Sequence, residues 1–218
     1  MSHAAPLQAH QPASRPGAAS LSVLLLAWLG LIIALGAIEA FAAPPGAPPL
    51  PLLAAVAGPV MAFLITYRVS PAVRELAPAD LRFLTATQAW RFGGFAFLAL
   101  YAYGVLPAFF AWPAGLGDMA IAATVPWMLA GLVREPGFAT SRRFIAWNVL
   151  GILDLVVAVS VGAVVPLLFP GVAGAELMGA MTRLPLVLIP GFFVPAYLIM
   201  HVIALAHAGR ARTAQRTQ

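Results

Sequence analysis

Three ionisable side chains stand inside stretches built mainly from Leu, Ile, Val, Ala and Phe: Arg91, Asp154 and His201. In lipid such a residue costs at least about 2.5–3.5 kcal/mol unless it pairs or meets water. Take a span that begins near Thr87, Trp147 as an interfacial aromatic, and Leu205 as the inner end of a last span. At about 1.5 Å per residue, Arg91 and His201 then lie about 6 Å, and Asp154 about 10 Å, inside the same membrane edge. Gln88 and Asn148 flank that depth, completing a candidate polar layer. As structure, Arg91 and Asp154 are a buried ion pair that sets helix register, with His201 bonded to a carbonyl, or Arg91 snorkels to the headgroups. As chemistry, Asp154 titrates, His201 relays the proton and Arg91 supplies a fixed positive charge.

A candidate outer layer falls within about two helical turns of the opposite edge: Glu39, Asp118 and Arg183. The two acids there need a partner, water or a proton. Gly115-Leu116-Gly117-Asp118 spells GxGD, the signature of intramembrane aspartyl proteases, with Asp154 available as a second aspartate. Counted from opposite edges, however, the two should stand about 14 Å apart in depth, whereas carboxylates sharing one proton sit about 3 Å apart. In that family the GxGD aspartate is also the second of the pair, and here it comes first. An intramembrane hydrolase built on Asp118 and Asp154 is therefore only a third alternative, and no catalytic residue is assigned. The plainer expectation is a Pro113–Gly117 turn that leaves Asp118 near a helix N-terminus, where negative charge is favoured.

Haem is not expected, because His3 and His10 lie in an N-terminal tail and His201 and His207 point to different faces of one helix. Asp154 with His201 offers too few ligands for a metal, so neither metal nor other cofactor is expected. Cys is absent, which removes thiolate metal sites, iron–sulfur clusters and cysteine nucleophiles. All twelve basic residues are Arg, so Schiff-base and phosphate-loop lysines are excluded as well.

The elements that must position these residues are membrane spans. The chain has 218 residues, 62% hydrophobic and 9% charged, with a mean hydropathy of +0.94. Soluble domains hold about 45–50% apolar and about 25% charged residues. Six apolar runs follow one another, at about 21–43, 50–67, 84–106, 114–133, 144–167 and 184–207. Each is close to the roughly 20 residues that cross a ~30 Å hydrocarbon core. The predicted fold is thus an all-α bundle of six transmembrane helices. Residues 1–20 form a disordered tail and residues 209–218 a basic tail. Asp80 caps a long helix from Leu81 to about Leu106, and Pro107 and Pro113 bracket a tight turn.

Orientation follows from the arginines. With the N-terminus inside, ten of the twelve are cytoplasmic: Arg15, Arg68, Arg74, Arg82, Arg134, Arg142, Arg143, Arg210, Arg212 and Arg216. Both termini are therefore expected in the cytoplasm of a multi-pass inner-membrane protein. Basic groups spread over separate short loops do not make a nucleic-acid surface. Ala40-Phe41-Ala42 imitates a signal-peptide cleavage site, against which stand the long apolar core and Glu39 beside it. Pro185, Pro190 and Pro195 bend the last helix against Gly93 and Gly94, or break it to line a cavity. Gly36/Ala40, Ala89/Gly93 and Ala158/Gly162 are spaced for close helix packing.

From Gln88 onward the chain resembles a family of uncharacterised bacterial integral membrane proteins. The shared residues are Gln88, Trp90-Arg91, Leu106-Pro107, Pro113 to Asp118, Trp147-Asn148, Gly151 to Leu155, Leu184-Pro185, Ile189-Pro190, Pro195 and His201. The resemblance covers about the C-terminal 60% and implies a family without implying an activity. The expectation is an integral membrane protein whose polar layer is mainly structural. The alternative is a small proton-coupled transporter or channel that uses it. Its partner is the lipid bilayer, and six short spans suit a homo-oligomer or a membrane partner protein. The sequence names no small-molecule or ion ligand.

Overall fold

A computed structural model describes residues 16–44, 47–71, 73 and 80–216. Most of the expected N-terminal tail, with Arg15, lies outside the described residues, as do Arg74, Glu75 and Pro78. Among the described residues every regular element is helical. The α-helices are α1 (Pro16–Ala37), α2 (Leu50–Val69), α3 (Leu81–Thr87), α4 (Phe95–Ala102), α5 (Ala108–Arg134), α6 (Arg142–Leu168) and α7 (Val194–Arg216). Five helical stretches are long and apolar enough to cross a bilayer: Ser20–Ala37, Leu50–Val69, Ala108–Arg134, Arg142–Leu168 and Ile189–Thr213. This is a membrane protein by its surface too. Val23, Leu24 and Leu26 point outward, while Thr85, Gln88, Arg91, Asn148 and His201 are buried. Lipid tails are as apolar as leucine, so the outward face meets its solvent and the interior can take the polar groups.

Several boundaries differ from the sequence expectation, each for a physical reason. Residues 16–20, expected as tail, are helical and belong to α1. α1 is also part of the bundle: with Phe41, which follows it, Ile32 packs against Val187, and Trp28 meets Phe192 at 4.7 Å between ring centroids. The helix expected over 81–106 is interrupted. Between α3 and α4 the chain winds as a 3₁₀ helix over Gln88–Gly94. α5 starts at Ala108 rather than after Pro113, with Pro107 as its cap and Pro113 inside it. Proline is tolerated within membrane helices because neighbouring groups satisfy the freed carbonyl.

The loop expected over 170–182 contains a 3₁₀ helix, Ala175–Thr182. Beyond it residues 184–187 are turns, and a π-helical turn over Ile189–Phe193 precedes α7. The proline-rich segment is therefore broken rather than smoothly bent. α7 runs on to Arg216, so the basic tail is helical through that residue. Ala208 is buried, Arg212 donates to the Thr140 carbonyl at 3.0 and 2.6 Å, and Arg210 hydrogen-bonds the Tyr67 hydroxyl.

Tight packing comes from the 3₁₀ segment against α5. A methyl at Gly94 would stand 2.6 Å from Asp118 Cβ, and one at Gly115 would stand 2.9 Å from the Gly94 carbonyl oxygen. Gly93 has nothing within 4 Å of such a methyl, so it faces away from the bundle. The expectation that Gly93 and Gly94 both pack on the last helix is thereby corrected: Gly94 packs on α5.

Candidate functional site

The 3₁₀ winding aims the central arginine. With three residues per turn, side chains at i and i+3 eclipse. Gln88, Arg91 and Gly94 therefore share one line and are all buried, while Trp90 on another face is 76% exposed. In an α-helix, at 100° per residue, Gly94 would sit about 120° around from Gln88.

Arg91 reaches four groups on three helices. Its Nε donates to Asp118 Oδ1 of α5 at 2.7 Å. One terminal nitrogen donates to Asp154 Oδ2 of α6. The other donates to the Gly151 carbonyl at 3.4 Å and lies 3.2 Å from His201 Nε2 of α7. Asp118 and Asp154 each fall near the middle of a 27-residue helix. A guanidinium is a planar fork of donors without an acceptor, suited to clamp carboxylates in this way.

Because the guanidinium only donates, His201 Nε2 accepts, and its Nδ1 carries the hydrogen. Nδ1 lies 2.9 Å from Asn148 Oδ1, and Asn148 Nδ2 donates to the Phe144 carbonyl at 2.9 Å. Donors therefore run one way, from Arg91 through His201 and Asn148 to a backbone oxygen. The imidazole is neutral in this arrangement, with its accepting nitrogen taken by the guanidinium. Trp147 packs edge-on to the imidazole at 5.7 Å and donates its indole N–H to Thr124 Oγ1 at 2.8 Å. It is 6% exposed, so it supports the site from within the bundle and is not the interfacial residue that the depth count assumed. Two glycines make room for the centre: a methyl at Gly117 would overlap the Asp154 carboxylate, and one at Gly151 the His201 ring.

The expected inner layer thus divides. Arg91, Asp154, His201 and Asn148 are joined by hydrogen bonds. Gln88 lies apart, with its amide nitrogen 4.0 Å from Met200 sulfur and its buried Oε1 without a partner among the described residues. The outer layer divides as well. Glu39 and Arg183 face each other at 3.8 Å, with side chains 60% and 65% exposed. Asp118 belongs to the Arg91 centre instead. Starting α5 at Ala108 carries Asp118 about 15 Å along its helix, where the 14 Å depth separation from Asp154 disappears. The guanidinium bonds to both carboxylates, and among the described residues no hydrogen bond joins the carboxylates to each other. Thr124 escaped the sequence reading, Trp147 entered it only as an interfacial aromatic, and Gly117 and Gly151 entered it only within the GxGD motif and the family resemblance. Gly151, three residues before Asp154 and opposite His201, was the one available signal.

Above the centre lies a cavity of about 460 Å³. It runs from Pro49 and Pro170, at the ends of α2 and α6, down to Asp118 in mid-α5. Its walls are apolar and include Val56, Phe97, Phe110, Val159, Pro190 and Val194. The broken segment before α7 therefore lines a cavity, one of the two arrangements that its prolines suggested. Among the described residues no group of three or more His, Asp and Glu side chains is placed to hold a metal ion.

A family model described as a domain of unknown function (DUF8737) matches residues 49–208. The match begins before α2, further back than the resemblance from Gln88 onward. No curated protein and no solved structure matches the chain.

Proposed function

The chain belongs to the DUF8737 family, and we propose that it is a small proton-coupled transporter of a bacterial-type inner membrane, with six spans and both termini cytoplasmic. Its exchangeable proton sits at the Arg91–Asp118–Asp154 centre. One observation carries this reading: a single buried guanidinium contacts two carboxylates at the foot of a cavity. With His201 neutral, the ionised cluster sums to one negative charge. A buried uncompensated charge is costly, and binding one proton removes it.

The sixth span is the interrupted stretch Leu81–Ala102. Seven 3₁₀ residues at about 2.0 Å and fifteen α-helical residues at about 1.5 Å give roughly 36 Å, enough for a ~30 Å core. The arginine distribution supports the orientation. No enzymatic step is assigned to the guanidinium-clamped aspartates.

Proton uptake by the full chain in lipid nanodiscs, followed by potentiometry from pH 8 to 5, tests the proposal. Wild type should bind one proton more per chain than Asp154→Asn or Asp118→Asn. Equal uptake by all three proteins would overturn it. In that event, a large loss of thermal stability in both variants would identify the centre as a helix lock, the reading favoured by the complete burial of the Arg91 side chain.

A further inference from the structure

We infer that the cavity binds a small apolar molecule carrying one positive charge, held against Asp118 in exchange for the proton of the centre. This rests on the proton-binding reading above and adds the class of substrate. The cavity's size falls in the range of about 300–1,000 Å³ typical of small-molecule sites. Its lining is apolar except at Asp118, Glu176 and Thr182, so both charged residues among the described lining are acidic and none is basic. Phe97 and Phe110, edge-to-face at 5.4 Å, add aromatic surface near the acidic floor, and aromatic rings attract cations. An anion would meet two carboxylates there, and a neutral molecule would leave the cluster's extra negative charge unbalanced.

Asp118 offers one oxygen to this ligand. Its Oδ1 is held by Arg91 Nε at 2.7 Å, while the side chain keeps 17% of its surface accessible. The exchange balances: the protonated centre plus a cation gives the ionised centre with the cation bound, and one proton leaves to solution. The titratable and charged groups around it are Arg91 on the 3₁₀ segment, Asp154 on α6, and His201 and Tyr197 on α7. Glu176 stands on the 3₁₀ helix that lines the cavity. Of the carboxylates, Asp118 is the one that both touches Arg91 and lines the cavity.

The probes are benzyltrimethylammonium, its neutral isostere neopentylbenzene, and the anion phenylmethanesulfonate. Each is titrated into the full chain in nanodiscs, with proton release recorded in the same samples. The cation should bind at pH 8, where the centre is already ionised, with little proton release. It should bind at least tenfold more weakly at pH 5.5, where each cation displaces up to one proton, and at least tenfold more weakly to Asp118→Asn at pH 8. Val159→Trp, which fills the cavity and changes no charge, should lose binding by a similar factor, and its proton uptake reports separately on the centre. Neopentylbenzene binding as tightly as the cation would make the cavity a lipid-chain pocket and overturn the inference. So would preference for the anion, or cation affinity independent of both pH and Asp118. Normal proton uptake without cation binding removes the substrate class and leaves the proton centre standing; loss of both removes the transporter reading as well.

Discussion

Arg91 holds together carboxylates from two helices, a backbone carbonyl and an imidazole, so its removal strands several buried groups at once. Arg91→Met should destabilise the protein by about 3–5 kcal/mol, measured by denaturant unfolding in bicelles, as expected when one partner of a buried ion pair is deleted. Arg91→Lys should recover part of that loss, because an ammonium keeps the charge but lacks the fork that reaches all four groups. A stability for Arg91→Met within about 0.5 kcal/mol of wild type, the range of an ordinary surface substitution, would contradict this account. Asn148→Leu strands the His201 Nδ1 hydrogen and should cost about 1–3 kcal/mol in the same assay. Arg91, Asp154, His201 and Asn148 were legible in the sequence because polarity inside an apolar run is expensive. Asp118 was misplaced by one inference, that Pro113 closes a turn. The glycine bed was hidden because a missing side chain carries no polarity to notice.

At the level of elements, the 3₁₀ segment decides which face of the Leu81–Ala102 stretch meets the bundle, and two neighbouring glycines give a direct test. Gly94→Ala places a methyl against Asp118 and the α5 backbone, and should cost about 1–3 kcal/mol. Gly93→Ala meets nothing within 4 Å and should be neutral or stabilising by up to about 1 kcal/mol, as replacing a helical glycine allows. Equal effects in unfolding measurements would mean that the segment is wound differently. Apolar runs revealed the existence of the long helices because length and hydropathy suffice for that. They could not reveal the 3₁₀ winding, which depends on how closely Gly94 approaches Gly115 across the bundle. The same limit hid the π-helical turn, since prolines announce a break but not its geometry.

For the whole molecule, the absence of cysteine makes topology directly measurable. Single cysteines at Gly171 and Gly209, where an added Cβ meets nothing within 4 Å, and at the exposed Glu135 should leave the fold intact. With an impermeant maleimide on intact cells, Gly171→Cys should react, while Glu135→Cys and Gly209→Cys should react only after permeabilisation. Labelling of all three in intact cells, or of the opposite set, would refute the proposed orientation. Arginine placement carried that expectation in the sequence. The sequence could not show that the C-terminal helix anchors itself at the same end, through Arg210 on Tyr67 and Arg212 on the Thr140 carbonyl.

The hydrogen bonds leaving Arg91 toward Asn148 end on the Phe144 carbonyl, which has no hydrogen to hand on. A proton wire needs groups that accept on one side and release on the other. This chain is instead an insulator: it begins on a guanidinium that only donates and ends on a carbonyl that only accepts, so its bonds cannot all reverse to pass a charge. The cavity lies on one side of the centre and this chain on the other, so the proposed proton exchange would run through the cavity. Under the proposed proton exchange, the fixed polarity of these three hydrogen bonds would keep protons from leaking along this route without any bulky gate.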